Sequence, residues 1–257
     1  MLLTLDMGNT NVLMGVFDGE RPVCTARAHT AHWRAADEWA VLLREILSLY
    51  GVAPNQISGA IVSSVATAAT DALRDGMELM FGARPIIVGP GVKTGLDIVI
   101  DNPAQLGSDM VCNAVAALSR VEGDIIIFDM GTATTMSVLD GKGRFIGASI
   151  MPGLDTSLEA LSAKTSQLPK ISLDVTPARV VGSNTLDSMR SGAIFGTASM
   201  LDGMITRVEE EEGRAFTVFA TGGLSGRIVP HMRRTARHEP FLLLDGLRLI
   251  YAKNTDV

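Results

Sequence analysis

The stretch Leu2-Leu3-Thr4-Leu5-Asp6-Met7-Gly8-Asn9-Thr10 returns about half a chain later as Ile125-Ile126-Ile127-Phe128-Asp129-Met130-Gly131-Thr132-Ala133. In both copies an apolar run ends on Asp and continues into Met-Gly and small residues. Each then restarts as a second apolar run, Val12 to Phe17 and Thr135 to Leu139, and breaks at Asp18-Gly19 and Asp140-Gly141. The reading is strand, tight turn, strand, made twice. Two copies of one supersecondary unit, each heading its own domain, are the simplest organisation that accounts for the echo.

Working outward, Asp37 to Leu49 has Trp39, Ala40, Leu42, Leu43, Ile46 and Leu47 at helical spacing and stops before Gly51, which predicts an amphipathic helix. Ala60 to Val65 reads as a buried strand, Thr70 to Met80 as a helix and Pro85 to Val88 as a strand. Asp109 to Leu118 predicts another helix. The second half repeats the theme with a helix over Ser191 to Glu212, a strand over Thr217 to Ala220, the turn Thr221-Gly222-Gly223 and a last helix near Leu244 to Lys253. Alternating strands and helices define an α/β fold. The expected domains are residues 1–118 and 119–257, with the boundary near Leu118 to Gly123.

A length of 257 residues with 47% hydrophobic content is ample for two packed cores. The net charge of −6, with basic residues scattered among acidic ones, argues against a nucleic-acid partner. Cys24 and Cys112 form no CxxC and lie far apart, so neither a disulfide framework nor a zinc site is expected, and a reducing cytoplasm fits. The start has no signal-peptide pattern, and the longest apolar stretches are too short or too polar to cross a bilayer. Met7 and Met130 are expected to fill core space behind the Asp turns. Arg233, Arg234 and Arg237, like Glu209 to Glu212, are expected on solvated helix faces.

An Asp at the end of a buried strand, followed by Gly and small polar residues, makes a turn whose backbone N–H groups can approach phosphate closely. Its carboxylate offers hard oxygen ligands to Mg²⁺, so Asp6 is a candidate metal residue. Two such turns could grip a triphosphate and its metal. No P-loop and no kinase-type Gly-rich loop is present. Instead, Gly222 and Gly223, after a short strand, can expose backbone to a flat ligand such as adenine. Phosphoryl transfer also needs a carboxylate to take the acceptor hydroxyl's proton, and Asp109 is a candidate for that role, the other reading being a first-turn Asp that only stabilises its helix. Gly107 is expected to permit an unusual backbone there, and Ser108 to cap the helix, leaving Asp109 in its first turn.

Two phosphate turns followed by a Gly-Gly turn resemble the acetate and sugar kinase, heat-shock ATPase and actin superfamily. The match becomes more specific through Asp101-Asn102-Pro103, Gly107-Ser108-Asp109, Asp129 to Thr134, Pro152-Gly153-Leu154, Asn184-Thr185, Ser191-Gly192 and Thr221-Gly222-Gly223. These, with Asp245-Gly246-Leu247 and Tyr251 to Asn254, resemble type III pantothenate kinase in the family's order over nearly the whole chain. The resemblance implies two duplicated ribonuclease H-like domains of the actin-like ATPase fold, with a nucleotide cleft between them. It implies an ATP site at Asp6, Met7, Gly8, Asn9, Thr10, Asn11, Val12, Leu13 and Thr132. A monovalent cation, K⁺ or NH4⁺, would sit at Asp129, and Mg²⁺ would accompany ATP. Gly107, Ser108, Asp109, Met110, Asn184 and Thr185 would meet the substrate, with Asp109 as the base. The resemblance further implies a homodimer that phosphorylates pantothenate in the first step of coenzyme A synthesis.

Two positions depart from the family pattern. Met110 stands where an Arg is expected and Ile100 where a Tyr is expected. The alternatives these departures raise are a paralogue acting on another hydroxylated molecule and a non-catalytic nucleotide-binding regulator. A phosphohydrolase of the same superfamily is a third.

Overall fold

The computed structural model describes residues 1–255. In chain order its elements begin with β1 (Leu2–Met7), β2 (Asn11–Asp18), β3 (Arg21–His29), α1 (Ala36–Leu49), β4 (Gly59–Ser64), α2 (Thr67–Phe81), β5 (Ile86–Ile87), β6 (Asp97–Ile98) and α3 (Ser108–Leu118). They continue with β7 (Ile125–Met130), β8 (Ala133–Leu139), β9 (Arg144–Pro152), α4 (Leu154–Lys164), α5 (Thr185–Ser191), α6 (Thr197–Glu212), β10 (Thr217–Thr221), α7 (Ser225–Ile228), β11 (Arg237–His238) and α8 (Leu242–Asn254). Two compact units result. The first holds residues 1–96, 101–119 and the segment beginning at Leu242, and the second holds 97–100 and 120–241. The units are therefore interleaved in sequence rather than consecutive, because α8 packs on α3, β1 and β4.

The first unit is a five-stranded sheet in the order β3-β2-β1-β4-β5, with β1 antiparallel to β2 and parallel to β4. Strand alternation sends Leu3, Leu5 and Met7 to one face, where they join Trp39, Leu43, Leu73 and Met77 of α1 and α2 in one core. Thr4 and Asp6 face the other way. There Gly15 brings β2 against Leu244 of α8. Gly246 lets α8 approach α3 so closely that a Cβ would strike the Cys112 carbonyl. Trp39, fully buried at the centre of the α1–α2 core, is the largest side chain there. Trp39→Ala is expected to destabilise this unit by about 3–5 kcal/mol, read from urea denaturation.

The second unit repeats the order as β9-β8-β7-β10-β11 and adds β6 outside β9. Ile126, Phe128 and Met130 of β7 face a core completed by Leu201 and Ile205 of α6, and Asp129 faces the opposite side. The duplication extends to an irregularity: β2 breaks register at Val16/Phe17 against β3, and β8 at Val138/Leu139 against β9. The copies differ at the hairpin tip. Met7 pairs Val12 in the first, whereas Met130 pairs Thr134 in the second, so the second turn is one residue shorter.

Two local expectations are corrected. The helix expected over Ser191 to Glu212 begins earlier, at Thr185, and carries a π-turn over Gly192–Gly196 before α6. Glycine at both ends of that turn lowers the cost of leaving the α-helical ladder. Arg233, Arg234 and Arg237 lie on no helix. Asp202 accepts from the backbone N–H groups of Arg233 and Arg234, and the Arg234 guanidinium binds both oxygens of Glu209 at 2.6 Å. That pairing holds the Glu209 carboxyl below its usual range. Among the described residues, no helix is long and apolar enough to cross a membrane.

Candidate active site

The first hairpin tip is built by backbone hydrogen bonds. Gly8 N donates to Asn11 O at 3.0 Å, Thr30 N donates to Thr10 O at 2.9 Å, and the Thr30 hydroxyl donates to Gly8 O at 2.7 Å. The second tip is held the same way. Gly131 N donates to Ala133 O at 3.0 Å, while Gly153 N and the Thr156 hydroxyl both donate to Thr132 O, at 3.2 and 2.7 Å. In each unit a hydroxyl just beyond the third strand pins the tip carbonyls. Met7, Val12 and Met130 are buried, which leaves them as core packing behind the tips. Asn9, Thr10, Asn11 and Thr132 are exposed at the tips themselves.

Asp6 is half-buried at the end of β1 and lies level with Ser63 on β4, so both side chains share one sheet face. The Ser63 hydroxyl meets the Ser108 hydroxyl at 3.0 Å, and Ser64 N donates to Ser108 Oγ at 3.2 Å. Ser108 is thus the bolt between β4 and α3 and not a helix cap. The N-cap is Gly107, at φ −60 and ψ 140, an extended conformation open to any residue. Its lack of a side chain answers a different need: a Cβ at 107 would collide with the Asp109 carboxylate, which folds back over it.

Asp109 itself is half-buried and accepts from Met110 N at 2.9 Å. Burial raises its pKa above the ordinary 3.8, against the lowering effect of the backbone N–H groups of Met110 and of Asp109 itself. One turn on, Cys112 is fully buried, and its thiol is pushed far up by burial and by the negative charges of Asp6 and Asp109. Asp6 lies level with Ser63, and Ser63 meets Ser108, the residue before Asp109, so β1, β4 and α3 bring Asp6 and Asp109 into one neighbourhood. Met110 is only 6% exposed and Ile100 is half-buried.

In the second unit Gly222 carries φ +90, and a Cβ on it would come 2.5 Å from Met130 N and 2.6 Å from Asp129 Oδ1. The Gly-Gly turn is therefore pressed directly onto the second Asp turn, with Gly223 exposed beside it. Asn184 caps α5, its Oδ1 accepting from Asp187 N at 2.9 Å, and Thr185 begins that helix. Both line a cavity of about 840 Å³ whose walls include Leu158, Met189 and Met200.

Sequence reasoning assigned no part to Ser63, Ser64, Thr30 or Thr156. Their partners lie between 22 and 45 residues away, beyond the reach of local pattern.

Two sheets of the same order, each with an aspartate turn, and a Gly-Gly turn against the second, define the two-domain α/β fold of the acetate and sugar kinase, heat-shock ATPase and actin superfamily. Solved structures agree on that fold. The activator of the 2-hydroxyisocaproyl-CoA dehydratase from Clostridium difficile, with bound ADPNP, matches at TM-score 0.60 and 13% identity, over 100% of this chain and 97% of its own. The ROK hexokinase from Thermus thermophilus matches at TM-score 0.51 and 14% identity, over 100% of this chain and 99% of its own. The family model for type III pantothenate kinase matches residues 2–207. A type III pantothenate kinase of Exiguobacterium sp. (strain ATCC BAA-1283 / AT1b) is 42% identical over 254 residues, 99% of each chain. The chain belongs to the type III pantothenate kinase family.

Proposed function

We propose that the chain transfers the γ-phosphoryl group of ATP to the hydroxyl of pantothenate, giving 4'-phosphopantothenate, the first step of coenzyme A synthesis. The observation that supports this reading most is the full-length match to a type III pantothenate kinase, together with the link from Asp6 through Ser63 to Ser108, the residue before Asp109. Asp109 takes the proton of the acceptor hydroxyl as its oxygen bonds to the γ-phosphorus, and the bond to the ADP oxygen breaks. Gly107 leaves room for the Asp109 carboxylate, and Ser108 fixes the start of α3. Residues 6–13 and Thr132 hold the phosphates through backbone groups, and Gly222 and Gly223 face the adenosine. Gly107, Ser108, Met110, Asn184 and Thr185 bound the acceptor.

Carboxylate oxygens at Asp6 and Asp129, with hydroxyl and carbonyl groups on the turns, are the hard donors that Mg²⁺ and a monovalent cation prefer. Asp6 would hold Mg²⁺ and Asp129 would hold K⁺ or NH4⁺; bound there, the cations would neutralise phosphate charge. A cytoplasmic homodimer without nucleic-acid or membrane partners completes the reading. The alternatives of another acceptor or a regulator are less favoured, because the match to a type III pantothenate kinase covers 99% of each chain at 42% identity.

Purified protein with ATP, Mg²⁺ and K⁺ is expected to release ADP only when pantothenate is added. Release that ignores pantothenate would overturn the reading. The pH profile gives an independent check. A base must be deprotonated, so kcat/KM should fall as pH drops through the raised Asp109 pKa. The midpoint of this acid limb should lie above 3.8, the ordinary value for an exposed Asp.

A further inference from the structure

Behind the Gly222 turn lies a hydrogen-bonded chain that the transfer chemistry does not use. Ser225, the first residue of α7 and fully buried, has its Oγ 2.7 Å from the Gly222 carbonyl and 2.9 Å from His238 Nε2. A carbonyl only accepts, so the single hydroxyl proton goes to Gly222 O. The imidazole must then donate to Ser225, which places a ring proton on Nε2. His238 is carried to this point by β11, whose register sets it opposite Ala220 on β10. Gly226 makes room for the ring, since a Cβ there would come 3.3 Å from His238 Cε1. Four residues, Gly222, Ser225, Gly226 and His238, therefore share one geometric purpose.

We propose that Ser225 and His238 are positioning residues for the nucleotide. Their chain holds the peptide plane between Gly222 and Gly223, at the point where φ +90 at Gly222 demands an uncommon conformation. With the Gly222 carbonyl fixed inward on Ser225, planarity directs the Gly223 N–H the opposite way. That N–H is then a fixed donor for an acceptor atom on the adenosine part of ATP. Without the chain the Gly222 carbonyl keeps only the longer bond from Ser225 N, at 3.3 Å, and the donor is held less firmly. This inference rests on the reading that the Gly222-Gly223 turn faces the adenosine.

The test measures ATP dissociation constants by calorimetry on the full chain, with pantothenate KM and melting temperature alongside. Ser225→Ala and His238→Leu are expected to weaken ATP binding about tenfold, the effect of losing one hydrogen bond, and to leave the pantothenate KM within about twofold. His238→Gln, whose amide N–H can reach Ser225, is expected to bind ATP like the parent. A packing role alone would not separate Gln from Leu. Gly223→Val probes the turn itself and is expected to weaken ATP whatever holds the turn. If Gly223→Val weakens ATP while Ser225→Ala and His238→Leu do not, the positioning chain is refuted and the adenosine reading stands. If Gly223→Val also binds normally, both fall. Equal losses in His238→Gln and His238→Leu would likewise overturn the assignment.

Discussion

Asp109→Asn is expected to lower kcat by about 10²–10⁴-fold while ATP binds with nearly unchanged affinity. The amide keeps the shape of the carboxyl but cannot take the proton of the acceptor hydroxyl. Stability is expected to move the other way. Because burial raises the folded-state pKa of Asp109, the folded state holds the proton more tightly than the unfolded one. Its contribution is most favourable below the ordinary value of 3.8 and is lost as pH rises through the raised one. At neutral pH the charged Asp109 therefore costs stability, and the Asn variant is expected to be as stable as the parent or more so. Single-turnover kinetics and urea denaturation on the same sample read both effects. An Asn variant with parental kcat would remove Asp109 as the base, and one that unfolds more readily would contradict the burial argument.

Gly222→Ala is expected to have the second-largest effect. The methyl group would meet Met130 N at 2.5 Å, Met130 O at 2.6 Å and Asp129 Oδ1 at 2.6 Å, and two of these three are backbone atoms with little freedom to yield. The positive φ adds a conformational cost of about 1–2 kcal/mol and overpacking about 1–3 kcal/mol. Relief requires the turn to lift away from the strand that carries Asp129. The expected outcome is an unfolding free energy lower by about 2–5 kcal/mol and an ATP KM raised at least about tenfold. Parental values for both would show that the contact is not structurally important.

The duplicated core was legible because its signals are local. Apolar runs ending on Asp-Met-Gly mark β1 and β7, and helical spacing marks α1, whose buried Trp39, Leu43 and Leu47 are among the residues that spacing singled out. The strands β3 and β9 were not legible. β3 mixes Arg21, Pro22 and Arg27 with apolar residues, and β9 points Ile150 to solvent, so neither shows clean alternation. At the candidate site the residue identities were readable, but the reasons for them were not. Gly107 and Ser108 looked like helix-start chemistry. Their tasks are to clear space for Asp109 and to fasten α3 to Ser63 and Ser64, and both depend on tertiary placement. The π-turn over Gly192–Gly196 likewise departs from the 3.6-residue period on which the helix was read.

The return of α8 to the first unit sets an order of events during synthesis. The second unit has all its strands and helices once Phe241 has left the ribosome, whereas the first still lacks the helix that covers the Thr4 and Gly15 face of its sheet. Until α8 arrives, that face and the buried side of α3 stand open to chaperones and to other nascent chains. The part of the molecule translated first is the part completed last.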